Sequence, residues 1–495
     1  MKITTVMVAA FCASAPAFAA SCEDLASLSL PQAKITSAHV VSAGAFTPPT
    51  GRPDPYRNVP AFCRVSATLT PSSDSDIKVE FWLPAAGWNR KLQVVGNGGW
   101  AGTISYSALA EGVRGGYATA STDTGHSTPG GGFVVGHPEK LIDFSWRSEH
   151  ETTVKAKAIV KAFYSATPQR SYWNGCSTGG RQALKEAQMF PDDFDGIIAG
   201  APGNRTAMGI WIAHALLKDP ASHIPAEKYP LIHRAAIEAC DAADGLKDGL
   251  ISDPTRCKFD PGVLLCKAGD SNDCLTAAQV AAARKVYGPG RNPRTGKELF
   301  GTLAPGSELG WAVMGGGPDP YGPILDQTRF VVFHDAKDWD WRTFDFDKDN
   351  DRFERPEFLI MNATDPHIEK FVGHGGRLLM YHGWADQNVS PYGTVRYFES
   401  VREVMGPAKT DNNVRLFMEP GMGHCGGGEG PNTFDKIGVL DRWVEEGKAP
   451  ESIIASHSTG GKVDRTRPLC PYPQVAQYKG SGSIDDAANF TCRVP

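Results

Sequence analysis

Residues 171–191, SYWNGCSTGGRQALKEAQMFP, decide the fold. A short apolar run breaks into Asn174-Gly175-Cys176-Ser177-Thr178-Gly179-Gly180, and a helical pattern then runs to Pro191. The spacing Gly175-x-Ser177-x-Gly179 between a strand and a helix predicts the sharp turn on which an α/β hydrolase raises a nucleophilic serine. Bulky neighbours do not fit such a turn. The Thr178 amide and the amino end of the following helix are then aimed where an oxyanion develops. A Gly-rich turn without chemistry has the same local signature, so the assignment depends on the rest of the chain.

On both sides of that turn, short apolar runs end in Gly-rich stretches: KLQVVGNGG (91–99), GYATASTDTG (116–125), FDGIIAGAP (194–202), RLLMYHGWAD (377–386) and VRLFMEPGMGH (414–424). These read as buried strands with loops at their carboxyl ends. Helical patterns alternate with them. From Ser148 to Ala166, Ser148 and Glu151 have capping-box spacing, and Val154, Ala158, Ile159, Ala162 and Phe163 recur on one face. A second helix starts after Gly179, and a third, Thr433 to Glu446, stops at Gly447. The alternation predicts an α/β-hydrolase fold with a mainly parallel sheet and helices on both faces. From about Arg205 to Asp365 it lapses, and four cysteines cluster between Cys240 and Cys274. We therefore expect a catalytic domain of residues 21–205 and 366–495 carrying a large inserted domain, 206–365.

A serine hydroxyl needs a base, and this fold class supplies acid and base after the serine, in that order. Asp386 in YHGWADQNVS and His424 in PGMGHCGGG both follow apolar strands and stand in loops. His126, His150, His374 and His382 compete for the base role. The cysteines favour His424: Cys176 precedes Ser177 and Cys425 follows His424, so a bond between them would staple the two loops together. Sequence alone leaves other pairings open. For the second oxyanion donor, Gly96-Asn97-Gly98-Gly99 follows an early strand, and Gly98 or Gly99 would donate alongside Thr178. His382, just before the acid, is a candidate for lining the substrate pocket, with a structural role as the alternative.

Composition narrows the class. The chain of 495 residues has a net charge of −5 with both signs interspersed, which gives no electrostatic case for nucleic acid. Residues 1–20, a Lys, an apolar run and then Ala17-Phe18-Ala19, read as a secretory signal, and no later run is apolar enough to span a membrane. A secreted or periplasmic protein is expected. Of 11 cysteines, Cys12 leaves with the signal, and the remaining ten read as five disulfides in an oxidising compartment.

Between Cys240 and Cys257, the segment from Asp241 to Leu250 packs Asp241, Asp244 and Asp248 into a Gly-rich loop. Crowded carboxylates need solvent or a hard cation, and the spacing alone leaves both readings open. A second acidic run, Asp345 to Asp351, lacks the glycine and distal Glu of a calcium loop and reads as a solvated or arginine-paired face. Trp311, Trp341 and Phe344 offer an apolar wall for an aromatic acyl group, or simply core.

Taken together, the segments GNGGWAG, STDTGHS, NGCSTGGRQALKEAQMFPDDFDGIIAGAP, CDAADGLKDGLISDPTRC, FDFDKD, YHGWADQNVSP, GMGHCGGG and RPLCPYP resemble the tannase and feruloyl esterase family, which also contains the hydrolase of mono(2-hydroxyethyl) terephthalate. The resemblance runs over nearly all of the chain beyond residue 20. It implies a triad at Ser177, Asp386 and His424 and a Cys176–Cys425 disulfide. It further implies the pairings Cys22–Cys63, Cys240–Cys257, Cys266–Cys274 and Cys470–Cys492. The middle domain would be a lid holding a structural calcium through the side chains of Asp241, Asp244 and Asp248 and the main-chain oxygens of Leu246 and Leu250. The implied substrates are small aromatic esters, feruloyl, other hydroxycinnamoyl or galloyl, with synthetic monoesters of the terephthalate kind as an alternative; no organic cofactor is implied. Oligomeric state stays open.

Two readings of other classes are weighed against it. Gly96-x-Gly98-x-x-Ala101 after a strand, with Asp123 ending the next, matches a dinucleotide-binding pattern. It leaves the Ser177 turn unexplained and suits an exported protein poorly. A non-catalytic binding protein on the same fold is the other, against which stands the retention of all three triad residue types.

Overall fold

The computed structural model describes residues 20–49, 51, 56–336 and 338–495; the expected signal, apart from Ala20, lies outside them. Nine strands form one sheet: β1 (Ala33–Val41), β2 (Phe62–Leu69), β3 (Ile77–Pro84), β4 (Lys91–Val95), β5 (Ala118–Thr122), β6 (Arg170–Cys176), β7 (Gly196–Gly200), β8 (Arg377–Gly383) and β9 (Val414–Glu419). Their order is β1-β2-β3-β5-β4-β6-β7-β8-β9. β1, β2 and β3 pair antiparallel, as does β3 with β5, and every pairing from β5 to β9 is parallel. The sheet is thus mainly parallel, an α/β-hydrolase arrangement. All residues of β5 and β7 are buried; β7 reads as an unbroken apolar run, and β5 as small residues without a charge. The edge strand β1 is mostly exposed or half-buried and lacks that signature.

Eight helices concern the site: α1 (Tyr106–Arg114), α2 (Ser148–Tyr164), α3 (Thr178–Met189), α4 (Met208–Leu216), α5 (Tyr229–Cys240), α6 (Ala277–Tyr287), α7 (Pro391–Met405) and α8 (Lys436–Glu446). Two expected helix starts are corrected. A helical turn at Pro138–Ile142 and a π turn at Asp143–Arg147 lead straight into α2. Ser148 therefore has no free first-turn amides to cap, and its side chain makes no capping hydrogen bond among the described residues. The buried side of α2 is Thr152, Ala156, Ile159 and Val160, whereas Val154 is exposed. α8 begins at Lys436 rather than Thr433 because Asp435 caps it, accepting from the Gly438 amide at 2.8 Å. It ends as expected at Gly447, whose φ of 70° suits glycine.

The main core lies on one face of the sheet under α2, α3 and α7. Residues 207–361 build a second apolar cluster around α4, α5 and α6, joined by Trp100, Val134 and Phe144 from loops beyond β4 and β5. Trp311, Trp341 and Phe344 belong to its interior and are 0%, 2% and 3% exposed, so they are core and not a substrate wall.

Candidate active site

β6 and α3 meet at Ser177, whose backbone stands at φ 63°, ψ −122°, a conformation rare outside glycine. The turn is held from three sides: the Ser177 amide donates to the Gly200 carbonyl at 3.0 Å, and the Ser177 carbonyl accepts from Arg181 at 3.0 Å and Gly203 at 2.9 Å. The flanking glycines are required sterically. A Cβ on Gly175 would stand 2.4 Å from the Gly179 carbonyl oxygen, and one on Gly96 would stand 2.6 Å from the Gly179 Cα.

The loops after β8 and β9 bring Asp386 and His424 to this turn. His424 Nε2 lies 2.9 Å from Ser177 Oγ, and His424 Nδ1 lies 2.7 Å from Asp386 Oδ2. Asp386 is fully buried, and its Oδ1 accepts from the amides of Asn388 at 2.7 Å and Val389 at 2.9 Å. Burial alone would raise this carboxyl, but hydrogen bonds from His382 and His424 outweigh it and hold it well below the usual carboxylate range. The acid is therefore ionised and can only accept. Cys176 and Cys425 are bonded across the two turns with Cα atoms 6.0 Å apart. Cys22–Cys63, Cys240–Cys257, Cys266–Cys274 and Cys470–Cys492 pair as the resemblance implies.

Thr178 starts α3, and its hydroxyl donates to the Gly99 carbonyl at 2.6 Å. Gly98, Gly99 and Thr178 all line the cavity above Ser177. The amides of Gly98 and Gly99 donate to no other described residue, leaving them free for an oxyanion. The Gly96 to Ala101 loop is not a helix start, since α1 begins only at Tyr106, so the geometry of a dinucleotide turn is absent there.

The cavity holds about 660 Å³ and is walled by Leu299, Phe300, Tyr321, Pro323 and Ile324 from the middle segment. Arg205 also lines it. Its guanidinium stacks 4.4 Å over Trp100 and donates to Gln327 at 3.0 Å and to the Gly99 carbonyl at 3.4 Å. Sequence reasoning missed Arg205 and the cavity walls, because nothing in spacing shows which residues of the middle segment turn inward.

His382 does not face the cavity. It is fully buried, with Nε2 3.0 Å from Asp386 Oδ2 and Nδ1 2.7 Å from Thr394 Oγ1. The other histidines lie elsewhere: His126 stacks on Phe133, His150 pairs with Asp193 and His374 with Asp192.

In the acidic loop, Asp241 accepts from the amides of Asp248 and Gly249, Asp244 from Leu246 and Ser252, and Asp248 from Leu250 and Arg467. Burial and the neighbouring Asp248 and Asp241 carboxylates push Asp244 up despite its hydrogen bonds. This crowding of hard oxygen donors suits calcium chemically. Among the described residues, the one group of three ligand-type side chains with atoms within 4.8 Å of one another is elsewhere, at His150, Glu186 and Asp193. In the second acidic run, Asp347 accepts from Arg294 at 2.8 Å and from Asn292 at 2.9 Å, an arginine-paired face.

This fold and this hydrogen-bonded line of serine, histidine and aspartate define an α/β hydrolase of the esterase class. Residues 63–493 match the family described as tannase and feruloyl esterase. The chain is 39% identical to an uncharacterized esterase of Xanthomonas campestris, over 96% of this chain and 91% of that one. It is 34% identical to a protein of Aspergillus terreus described as "probable feruloyl esterase B-2", over 97% and 96%. Feruloyl esterase B from Aspergillus oryzae superposes with a TM-score of 0.89 at 32% identity, over 95% of this chain and 99% of that one. The chain belongs to the tannase and feruloyl esterase family.

Proposed function

We propose that this protein hydrolyses small aromatic carboxylic esters of the feruloyl, hydroxycinnamoyl or galloyl kind through an acyl-enzyme on Ser177. The observation that carries the reading is the line Ser177–His424–Asp386, with contacts of 2.9 and 2.7 Å, opening into an apolar cavity of about 660 Å³. His424 Nε2 takes the Ser177 proton as Oγ attacks the ester carbonyl, and Asp386 holds Nδ1–H and stabilises the imidazolium. The oxyanion is received by the Thr178 amide and by Gly98 or Gly99. His424 then protonates the departing alcohol, and water repeats the sequence on the acyl-enzyme. A cavity of this size walled by Phe300, Tyr321 and Ile324 suits a planar aromatic acyl group.

The same walls would admit a synthetic monoester such as mono(2-hydroxyethyl) terephthalate. We take residues 206–365 as a lid over the cavity, ordered by calcium at Asp241, Asp244, Leu246, Asp248 and Leu250; the metal neutralises the loop and takes no part in the ester chemistry. Five disulfides support export, and no helix among the described residues is long and apolar enough to cross a membrane.

The test is initial-rate hydrolysis of methyl ferulate, methyl caffeate, methyl gallate, chlorogenate and mono(2-hydroxyethyl) terephthalate by the protein and by Ser177→Ala. Turnover of at least one ester, lost in the variant, is expected, and the fastest names the acyl class. Binding without turnover on every ester would transfer the fold to a non-catalytic role.

A further inference from the structure

Asp386 carries two histidines on one oxygen. His424 Nδ1 is 2.7 Å from Asp386 Oδ2 and His382 Nε2 is 3.0 Å from the same atom, while Oδ1 is filled by the Asn388 and Val389 amides. The far ring nitrogen of His382 meets the Thr394 hydroxyl at 2.7 Å, and Thr394, near the start of α7, lines the cavity. His382 itself is 0% exposed, so it touches no substrate and can act only through its partners.

We propose that His382 is a positioning residue of the reaction: with a proton on Nε2 it donates to Asp386, Thr394 donates to its Nδ1, and together they fix the carboxylate in the one orientation that serves His424. The inference rests on the triad reading above.

The hydrogen-bond roles follow from the acid. An ionised Asp386 has no proton to give, so both imidazoles donate to Oδ2, one to each lone pair. With its proton on Nε2, His382 presents a bare Nδ1, which needs a donor at this fully buried position, and the Thr394 hydroxyl is the group in reach. Without His382 the carboxylate keeps its two amide contacts to Oδ1 but can swing Oδ2 away from His424. The second donor also spreads charge that would otherwise concentrate on the His424 contact. In the fraction that keeps the contact, the carboxylate charge falls on His424 alone, so the base holds its proton to higher pH while the swung-out fraction accounts for the lost rate.

Among the described residues, the titratable groups that face Asp386 are the two imidazoles; α7 brings Arg396 to the cavity, paired with Glu298 at 2.7 Å, and the loop after β7 brings Arg205, bonded to Gln327.

The test measures kcat, KM and the pH profile of kcat/KM for the protein and for His382→Leu, His382→Gln, Thr394→Val and Thr394→Ser on the ester turned over fastest. Leucine fills the space without a donor, whereas the glutamine amide can still donate to Asp386. His382→Leu is expected to lower kcat about tenfold or more, with KM little changed and the acid limb moved to higher pH. His382→Gln should recover most of both. Thr394→Val should move the limb in the same direction by less, and Thr394→Ser should restore it. Equal rates and an unmoved limb in His382→Leu overturn the proposal, as does a loss of rate that glutamine fails to rescue. Where His382→Leu does not fold, the Thr394 pair decides: a wild-type profile in Thr394→Val overturns it. Activity retained by Ser177→Ala would undo the triad reading; an inactive Ser177→Ala with an unperturbed His382→Leu undoes only this inference.

Discussion

Replacing Cys176 and Cys425 together by alanine removes the bond tying the turn of Ser177 to the turn of His424. That bond spans 249 residues, whereas the other four span 8 to 41. On loop-closure entropy, freeing the 249-residue loop restores roughly 5.5 kcal/mol of denatured-state freedom, against roughly 2.5 kcal/mol for the 8-residue Cys266–Cys274 loop. Activity should fall for a separate reason. Ser177 at φ 63° and Cys425 at φ 64° hold backbone conformations that cost non-glycine residues about 1–3 kcal/mol each. With the bond cut, relaxation at either turn separates Ser177 Oγ from His424 Nε2, and each 1.4 kcal/mol of relaxation removes about tenfold of the productive population. A kcat lowered about ten- to hundredfold is expected, with KM changed less. Denaturant unfolding and initial rates check both effects, with Cys266→Ala/Cys274→Ala as the control that loses less stability and keeps its kcat. The reasoning fails if the Cys176/Cys425 variant is no less stable than the control, or keeps the parental kcat.

Three further outcomes follow from the same geometry. His233 on α5 is held between Glu308 and Glu429, each at 2.8 Å; burial would lower it, but the two carboxylates win and raise it to about 9. A raised folded value means this contribution to stability is complete below the unfolded pKa of about 6.5 and is lost as pH rises through about 9; melting temperatures across that window should fall less in His233→Gln. Gly175→Ala sets a Cβ 2.4 Å from the Gly179 carbonyl, and a cost of about 1–3 kcal/mol in unfolding free energy is expected, with kcat lowered because the strain sits under Ser177. Chelation should lower the melting temperature by the equivalent of about 2.7 kcal/mol if calcium was held at 100 times its Kd; Asp244→Asn should abolish that response, and a chelator-insensitive melt would remove calcium from the loop.

The sheet from β4 to β9 was legible because buried parallel strands are continuous apolar runs with glycines at their ends. β1 and β2 were not: β2 alternates buried and half-buried residues and β1 is mostly exposed or half-buried, so neither forms such a run. The start of α2 misled because capping-box residues occur where the chain is already helical, and residue type alone cannot say whether a first turn precedes them. Ser177, Asp386 and His424 were legible from order and setting, and the cysteines beside two of them supplied a geometric clue that periodicity lacks. For His382 the pocket and a structural role both stayed open, since sequence puts it near the acid without saying which face of β8 it occupies. The aromatics of the middle segment were unreadable for the same reason: Trp311 and Tyr321 are both aromatic on paper, and only packing sends one into the core and leaves the other half-buried at the cavity.

The Gly98–Gly99 loop and the middle segment are tied by hydrogen bonds, which bears on how substrate choice and rate are linked. The Gly99 carbonyl accepts from Thr178 at 2.6 Å and from Arg205 at 3.4 Å, and Arg205 also binds Gln327. Next to Gly99, the Trp100 indole donates to the Pro323 carbonyl at 3.1 Å, and the Gly131 amide binds Asp326 at 2.9 Å. Pro323 and Ile324, which wall the cavity, thus lie in a stretch tied to the loop whose amides would receive the oxyanion. An acyl group that displaces this wall is therefore expected also to shift the Gly98 and Gly99 amides. Poorly fitting esters should lose kcat and not merely bind more weakly, because remote contacts made by the acyl group are spent on geometry at the reacting carbonyl.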